Sequence, residues 1–395
     1  MCGIAGLVNF ENSLSDKHNI INEMTETLSK RGPDDSKCYY SKNVLLGHSR
    51  LIVVDPSGGA QPMIKHQGDS NYVIVYNGEL YNTEDLRKLL IAAGYSFNSY
   101  SDTEVLLVSY MHWGINCLKY INGIFAFGIW DELKQQLFLA RDPLGVKPLF
   151  YSRKGSSLTF GSEIKALLAN PEIKPILTRD GLTKLLALGP ARIPGDGILK
   201  DIYEIEPASY MIFSKDKCTL AQYWRPECKD YHEDINTCTD HVKDLLTDAI
   251  KRQLVGDVPI CSFLSGGLDS SLISAVAATE FKSRGKILDT YSIDYKDNEL
   301  YFKSDEFQPT SDSYWAGVMA DYIGSNHHTV LENSTELAQA LFNSVIANDM
   351  PGMADVDSSL FVFCKQVRKE QTVALSGECA SLLLNYTYQL TNTYF

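Results

Sequence analysis

The spacing of apolar residues changes its period partway along the chain, and this limits the fold more than any other feature. Before about residue 214, short strand-like runs dominate. Residues 72–76 form an apolar run that the turn dipeptide Asn77-Gly78 predicts to stop. Residues 124–130 and 137–140 read as paired strands, with Phe125, Phe127 and Ile129 on one face. Two helices interrupt them. Asn82 is placed to cap the first, in which Leu86, Leu89, Leu90 and Ala93 share a face and Gly94 ends it. Ser101 and Glu104 have the spacing of a capping box for the second. Many strands with few helices predict an α+β layered domain. After about residue 240 the order becomes helix (240–254), apolar strand (258–264), Gly-rich turn, helix, and further strands at 287–293 and 372–375. That alternation predicts a parallel α/β sheet. The polar stretch 214–240, with Cys218, Pro226, Cys228 and Cys238, reads as a linker, and 395 residues suit two domains.

Composition narrows the setting. A net charge of −13 argues against a nucleic-acid partner. No run of about 18 apolar residues predicts a membrane span, and residues 1–4 lack the flank and core of a signal peptide. Nine cysteines, dispersed and without CxxC pairs, fit a reducing cytoplasm rather than a disulfide framework.

Cys2 follows Met1. Loss of Met1 would put a thiol and a free α-amine on one residue. A free thiol titrates near 8.5 and an α-amine near 7.7–8.0, so the amine can take the thiol proton near neutrality. A cysteine at position 2 is by itself weak evidence. Its neighbours strengthen it: Cys2-Gly3-Ile4-Ala5-Gly6, Arg31-Gly32-Pro33-Asp34, Gly47-His48-Ser49-Arg50-Leu51, Tyr76-Asn77-Gly78-Glu79 and Ser101-Asp102-Thr103-Glu104 follow in that order. Runs at 141–149 (RDPLGVKPL) and 160–167 (FGSEIKAL) extend the set.

Together these blocks resemble a class II glutamine amidotransferase domain over residues 2–215, one of the N-terminal-nucleophile hydrolases. The resemblance implies an αββα sandwich. It makes Cys2 the nucleophile on the glutamine side-chain amide and Asn77 with Gly78 the oxyanion hole. Arg50 would grip the glutamine α-carboxylate, and Glu79 and Asp102 the α-ammonium. Leu51, Ile52, Val53 and Val54 would line the pocket, and residues 31–34 would form a lid.

A second constellation lies at 263–271, Phe-Leu-Ser-Gly-Gly-Leu-Asp-Ser-Ser, between an apolar strand and a helix. Small residues let backbone N–H groups at a helix start cradle phosphate. There is no GxxxxGK[ST] pattern, so this is not a Walker loop. It resembles the pyrophosphatase loop of the asparagine synthetase domain, which with the first domain identifies the chain as similar to the glutamine-hydrolysing asparagine synthetases. That resemblance implies an α/β ATP-pyrophosphatase domain over 236–395 and a ligase using ATP and Mg²⁺. Leu264, Ser265, Gly266, Gly267, Asp269, Ser270, Ile293, Ser376 and Gly377 would hold ATP, Asp269 the metal, and Glu378 would lie near the activated carboxylate. Ammonia from glutamine would convert aspartate to asparagine through β-aspartyl-AMP.

The family pattern breaks after Ala380. A Ser stands at 381 where an acidic residue is expected, and residues 381–395 follow no family pattern, so the synthetase domain is expected to be truncated. Strands near 258–264 and 287–293 would then be partly uncovered. Other readings stay open at this point: glutaminase activity alone, a related enzyme that aminates another carboxylate, or a non-catalytic form. The oligomeric state is not given, and a homodimer is kept open.

Overall fold

The structure is a computed structural model that describes residues 1–189, 191–230, 232–303 and 310–378. The divergent tail at 381–395 lies outside the described residues. The chain divides into two compact units, one of Met1–Lys229 with Asn348–Gly352, the other of Asp230–Ala347 with the chain from Met353 onward.

The first unit begins with β1 (Gly3–Asn9), α1 (His18–Glu26), β2 (Asp35–Tyr40), β3 (Val44–Arg50), β4 (Met63–Gln67) and β5 (Ser70–Leu80). Two helices follow, α2 (Thr83–Ala92) and α3 (Asp102–Trp113), then β6 (Gly123–Asp131), β7 (Gln136–Arg141), β8 (Phe150–Lys154) and β9 (Ser157–Gly161). It ends with α4 (Ile164–Leu168), α5 (Arg179–Leu188), β10 (Tyr203–Glu204), β11 (Ser209–Ser214) and β12 (Cys218–Gln222). These strands form two antiparallel six-stranded sheets, ordered β10-β8-β9-β1-β3-β2 and β12-β11-β7-β6-β5-β4.

Strand alternation assigns the layers. Val73 and Val75 of β5 face inward and pack with Ile4, Val8, Val44 and Leu46 of the other sheet. The intervening Ile74 and Tyr76 face outward and pack with Leu106, Leu107 and Tyr110 of α3, together with Phe125, Phe127 and Ile129. On the other side, Ile20, Ile21 and Met24 of α1 cover Ala5, Leu7 and Leu45. The result is a helix–sheet–sheet–helix sandwich, as the resemblance implied.

Several local expectations give way to tertiary pairing. Asn77-Gly78 is not a turn: β5 runs through it, and Asn77 and Gly78 pair with Ala126 and Phe125 of β6. Gly is required there because a Cβ on Gly78 would lie 2.3 Å from the Ile124 carbonyl oxygen. Leu89 is 55% exposed, so α2 buries only Leu86 and Leu90. Asn82 makes no capping bond to α2, and its side chain instead joins the Tyr120 carbonyl and the Asn122 N–H. The capping box is half made. Ser101 accepts from Thr103 N–H at 3.1 Å, while Glu104 turns to the N–H groups of Asn98 and Ser99. Part of the expected linker is β12, paired with β11.

The second unit comprises α6 (Ile235–Arg252), β13 (Ile260–Phe263), α7 (Leu268–Ser283), β14 (Asp289–Tyr295) and α8 (Asn298–Tyr301). It continues with α9 (Asp312–Ile323), β15 (Asn326–Glu332), α10 (Ser334–Asn348), α11 (Ala354–Val367) and β16 (Val373–Leu375). All four strands are parallel, in the order β15-β14-β13-β16. The chain therefore moves outward from β13 to β15, then returns to the other side of β13. That reversal makes a switch point between β13 and β16, where open α/β sheets bind ligands.

The expectation of uncovered strands is corrected among the described residues. Ala277 and Ala278 of α7 pack with Ile260, and Phe363 and Val367 of α11 pack with Cys261 and Tyr291 on the other face. Apolar exposure is greatest on helices, with Phe342 of α10 and Tyr322 of α9 each 83% exposed, although Ile287 just before β14 and Leu331 of β15 are exposed as well.

Candidate active sites

Pairing of β1 with β3 sets Gly3 opposite Ser49, which brings Cys2 to the loop that follows β3. The Leu51 N–H donates to the Cys2 sulfur at 3.4 Å, and the thiol faces the Leu51 carbonyl at 3.6 Å. Leu51, Ile52, Val53 and Val54 form this half-buried loop. Arg50, only 6% exposed, organises it by donating to the carbonyls of Val54, Asp55 and Pro56. The 31–34 segment is pinned at both ends. Arg31 donates to the Cys2 carbonyl at 3.0 Å and pairs with Glu163 at 2.8 Å, and Asp34 accepts from Ile52 N–H at 2.8 Å.

Two buried polar side chains on facing strands of the two sheets, β3 and β5, keep an atom without a partner among the described residues. Asn77 is 1% exposed and its Nδ2 is unpartnered; His48 is fully buried and its Nδ1 is unpartnered. The His48 Nε2 lies 3.1 Å from the Tyr76 carbonyl, which only accepts, so Nε2 carries the proton and Nδ1 the lone pair. Burial lowers the His48 pKa to about 4, so the ring is neutral.

Acidic groups converge on the thiol. Asp102, at the first position of α3, accepts from the Tyr76 hydroxyl at 2.9 Å and from Leu80 N–H at 3.1 Å. Burial nevertheless raises its carboxyl. Glu79 is pushed up to about 8, first by burial and then by Asp102, against Lys147 and the chain's terminal amine. The Cys2 thiol is raised mainly by burial; Leu51 N–H and the terminal amine oppose this, while Glu79 and Asp102 add to it. Lys147, 7% exposed, is lowered by burial and by Arg31, with Glu79, Asp142 and Cys2 opposing. These mutual influences put Cys2, Glu79, Asp102 and Lys147 in one electrostatic neighbourhood. Sequence reading gave Lys147 and His48 no role, although both stand inside the motif runs.

In the second unit a cleft of about 440 Å³ opens at the switch point. Leu264, Ser265, Gly267, Asp269, Ser270, Ile293, Ser376, Gly377 and Glu378 all line it. Gly266 does not. It turns the chain with φ +84°, and a Cβ there would lie 2.6 Å from both Ala316 N and Trp315 Cβ. The loop is braced by Ser265 Oγ against Ser270 Oγ at 3.0 Å and by Ser270 Oγ donating to the Gly267 carbonyl at 3.1 Å. No side chain caps the 16-residue α7, so the N–H groups of its first turn face the cleft end of the helix, a site suited to anions. The loop after β16 abuts it: a Cβ on Gly377 would sit 3.0 Å from Ser270 N.

A half-buried thiol on an αββα sandwich, joined to a Gly-rich phosphate-type loop at the switch point of a parallel sheet, defines a two-domain amidotransferase architecture. Comparison with known proteins supports it. Residues 1–224 match the family model described as glutamine amidotransferase domain, and residues 241–388 match asparagine synthase. The chain is 52% identical over 382 residues to "Asparagine synthetase [glutamine-hydrolyzing] 3" of Bacillus subtilis, covering 96% of this chain and 62% of that protein. It is 32% identical to "Asparagine synthetase [glutamine-hydrolyzing] 1" of the same organism, covering 97% and 58%. It is 33% identical to "Putative asparagine synthetase [glutamine-hydrolyzing] 2" of Methanocaldococcus jannaschii, covering 96% and 74%. The chain belongs to the glutamine-hydrolysing asparagine synthetase family. It spans about six-tenths of the length of the two Bacillus subtilis relatives. No described helix is long and apolar enough to cross a membrane.

Proposed function

We propose that the chain couples glutamine hydrolysis in a domain over residues 2–215 to ATP-dependent formation of asparagine from aspartate in a domain over 236–395. The observation that carries this reading is the convergence of two motif sets on two sites. Cys2 meets Leu51, Glu79 and Asp102 in one, and the phosphate loop meets Ser376–Glu378 in the other.

In the first site the Cys2 sulfur, its proton taken by the α-amine freed when Met1 is removed, attacks the glutamine side-chain carbonyl carbon. The unpartnered Nδ2 of Asn77 and the Gly78 N–H stabilise the oxyanion. The α-ammonium returns that proton to the amide nitrogen, collapse expels neutral ammonia, and a glutamyl thioester is left that water hydrolyses to glutamate. Arg50 holds the glutamine α-carboxylate, and Glu79 and Asp102 its α-ammonium, which explains two acids in one electrostatic neighbourhood.

In the second site the aspartate β-carboxylate attacks the α-phosphorus of ATP, pyrophosphate leaves along the 265–270 loop, and ammonia displaces AMP from the resulting β-aspartyl-AMP. Glu378, on the cleft wall, stands beside that carboxylate. Among the described residues no cluster of three or more His, Cys, Asp or Glu could hold a metal unaided. A lone Asp269 with triphosphate oxygens fits Mg²⁺, which binds through one or two carboxylates plus phosphates and offsets their charge. Eight unpaired cysteines among the described residues suit a cytoplasmic setting. A homodimer is part of the proposal, tested by light scattering.

Two assays on the full chain test the function. Glutamate release should fall by at least about a thousandfold in Cys2→Ala. Aspartate-dependent exchange of pyrophosphate into ATP should persist in that variant. Glutamate release that survives Cys2→Ala overturns the nucleophile. Release without aspartate-dependent exchange leaves a glutaminase.

A further inference from the structure

The cleft of the second unit is lined by a polar group and an apolar group of residues. The polar group includes Ser265, Asp269 and Ser270; the apolar group is Phe263, Phe363, Val356 and Leu360. Phe263 and Phe363 lie 4.8 Å apart by ring centroids. If the cleft takes ATP as proposed above, the phosphates belong with the first group and the planar base with the second.

Two hydroxyls interrupt the apolar wall. Tyr295 ends β14 and Ser359 lies in α11, and both line the cleft. Their oxygens are 3.1 Å apart. Behind them Glu332 ends β15, directly opposite Tyr295 in the strand register. Glu332 is 1% exposed, and its Oε2 accepts from the Ser359 hydroxyl at 2.9 Å. Its Oε1 meets no hydrogen-bond partner of good geometry among the described residues. A buried carboxyl with an open oxygen is costly to keep, and nothing in the reading of the glutaminase or phosphate sites uses it.

The chain of bonds has one direction. A serine hydroxyl carries a single proton. Ser359 gives it to Glu332, so the Ser359–Tyr295 contact is filled by the tyrosine proton. The Tyr295 oxygen is then left with lone pairs only, and donation makes it a better acceptor. Ser359 likewise has no proton to offer the cleft.

We infer that Glu332, acting through Ser359 and Tyr295, fixes an acceptor-only edge in the base pocket that selects a purine with a 6-amino donor over one with a 6-oxo group. Glu332 is a positioning residue in this scheme, and Tyr295 is the group that meets the base. A 6-amino group donates to the Tyr295 oxygen. A 6-oxo group sets acceptor against acceptor.

The test is equilibrium binding of ATP and of inosine triphosphate to the full chain and its variants, read as the ratio of the two dissociation constants. The wild-type chain should favour ATP. Tyr295→Phe, at a 45% exposed wall position, should cut that preference by about tenfold. Glu332→Met should do the same by freeing the Ser359 and Tyr295 protons to rotate. A merely structural role for the three residues would lower both affinities together and leave the ratio unmoved. An unchanged ratio in folded Tyr295→Phe overturns the assignment, whether or not Glu332→Met folds. Wild-type chain that binds neither nucleotide overturns the ATP reading of the cleft as well, so the two failures are distinguishable.

Discussion

At the scale of single residues the informative feature is a pair of acids, Glu79 and Asp102, both raised by burial, and Glu79 also by Asp102. Glu79 moves from an ordinary 4.5 to about 8. An acid whose folded pKa lies above its unfolded one favours folding fully below the unfolded value and loses that contribution as pH rises through the folded value. Stability of the ligand-free chain should therefore decline from about pH 5 to about pH 8. Glu79→Gln should flatten the decline and gain on the order of 1–3 kcal/mol near its upper end, read by denaturant melts at both pH values. The same residue should lose glutamine binding. A glutamine ammonium beside Glu79 lowers its pKa again, so binding near neutrality should release a proton, measurable by calorimetry in two buffers of different ionisation enthalpy. A variant that melts with the wild-type pH profile would contradict this account. Cys2, Arg50, Asn77 and Asp102 were legible as letters in ordered motifs. Lys147 and His48 sit in the same motifs, but what marks them is burial beside charge and a missing partner, which no spacing along the chain reveals.

At the scale of elements, the two glycines of the phosphate loop serve different ends. Gly266 has φ +84° and faces Ala316 and Trp315 of α9, so a methyl there meets both backbone strain and a clash. Gly267 has φ −69°, and the nearest atom to an added methyl is Ser265 Oγ at 3.4 Å. Gly266→Ala should destabilise the second unit by about 2 kcal/mol or more. Gly267→Ala should melt near wild type yet bind ATP at least about tenfold more weakly, because its methyl stands where phosphate must approach the backbone. Parallel melting and nucleotide titrations of the two variants check the contrast, and equal melting losses would refute it. The sequence spelled this loop plainly because strand, small residues and helix are local signals. It misread Asn77-Gly78 for the opposite reason. Those residues form turns by local preference, but β6 offers them a full ladder, and only the fold shows that partner. Leu89 is the same lesson in a helix: its spacing fits the buried face, while the packing of α2 on Val105 and Val108 reaches only Leu86 and Leu90.

At the scale of the whole molecule, each site belongs to a separate compact unit with its own core. The sandwich buries its residues between two sheets and under α1 and α3. The parallel sheet buries its own between α7 and α11. Ligands stabilise the fold that binds them, by about 2.7 kcal/mol at a hundredfold excess over the dissociation constant. If each core melts as its own cooperative unit, each ligand acts on one transition. Calorimetry of the full chain should then show two unfolding transitions. Glutamine, added to Cys2→Ala so that it is not consumed, should raise only one of them. ATP with Mg²⁺ should raise only the other, and Gly266→Ala should lower that same one. A single transition raised by both ligands would show the two units unfolding as one body. It would also move the destabilisation expected for Gly266→Ala onto the glutaminase site, where glutamate release near the melting temperature would report it.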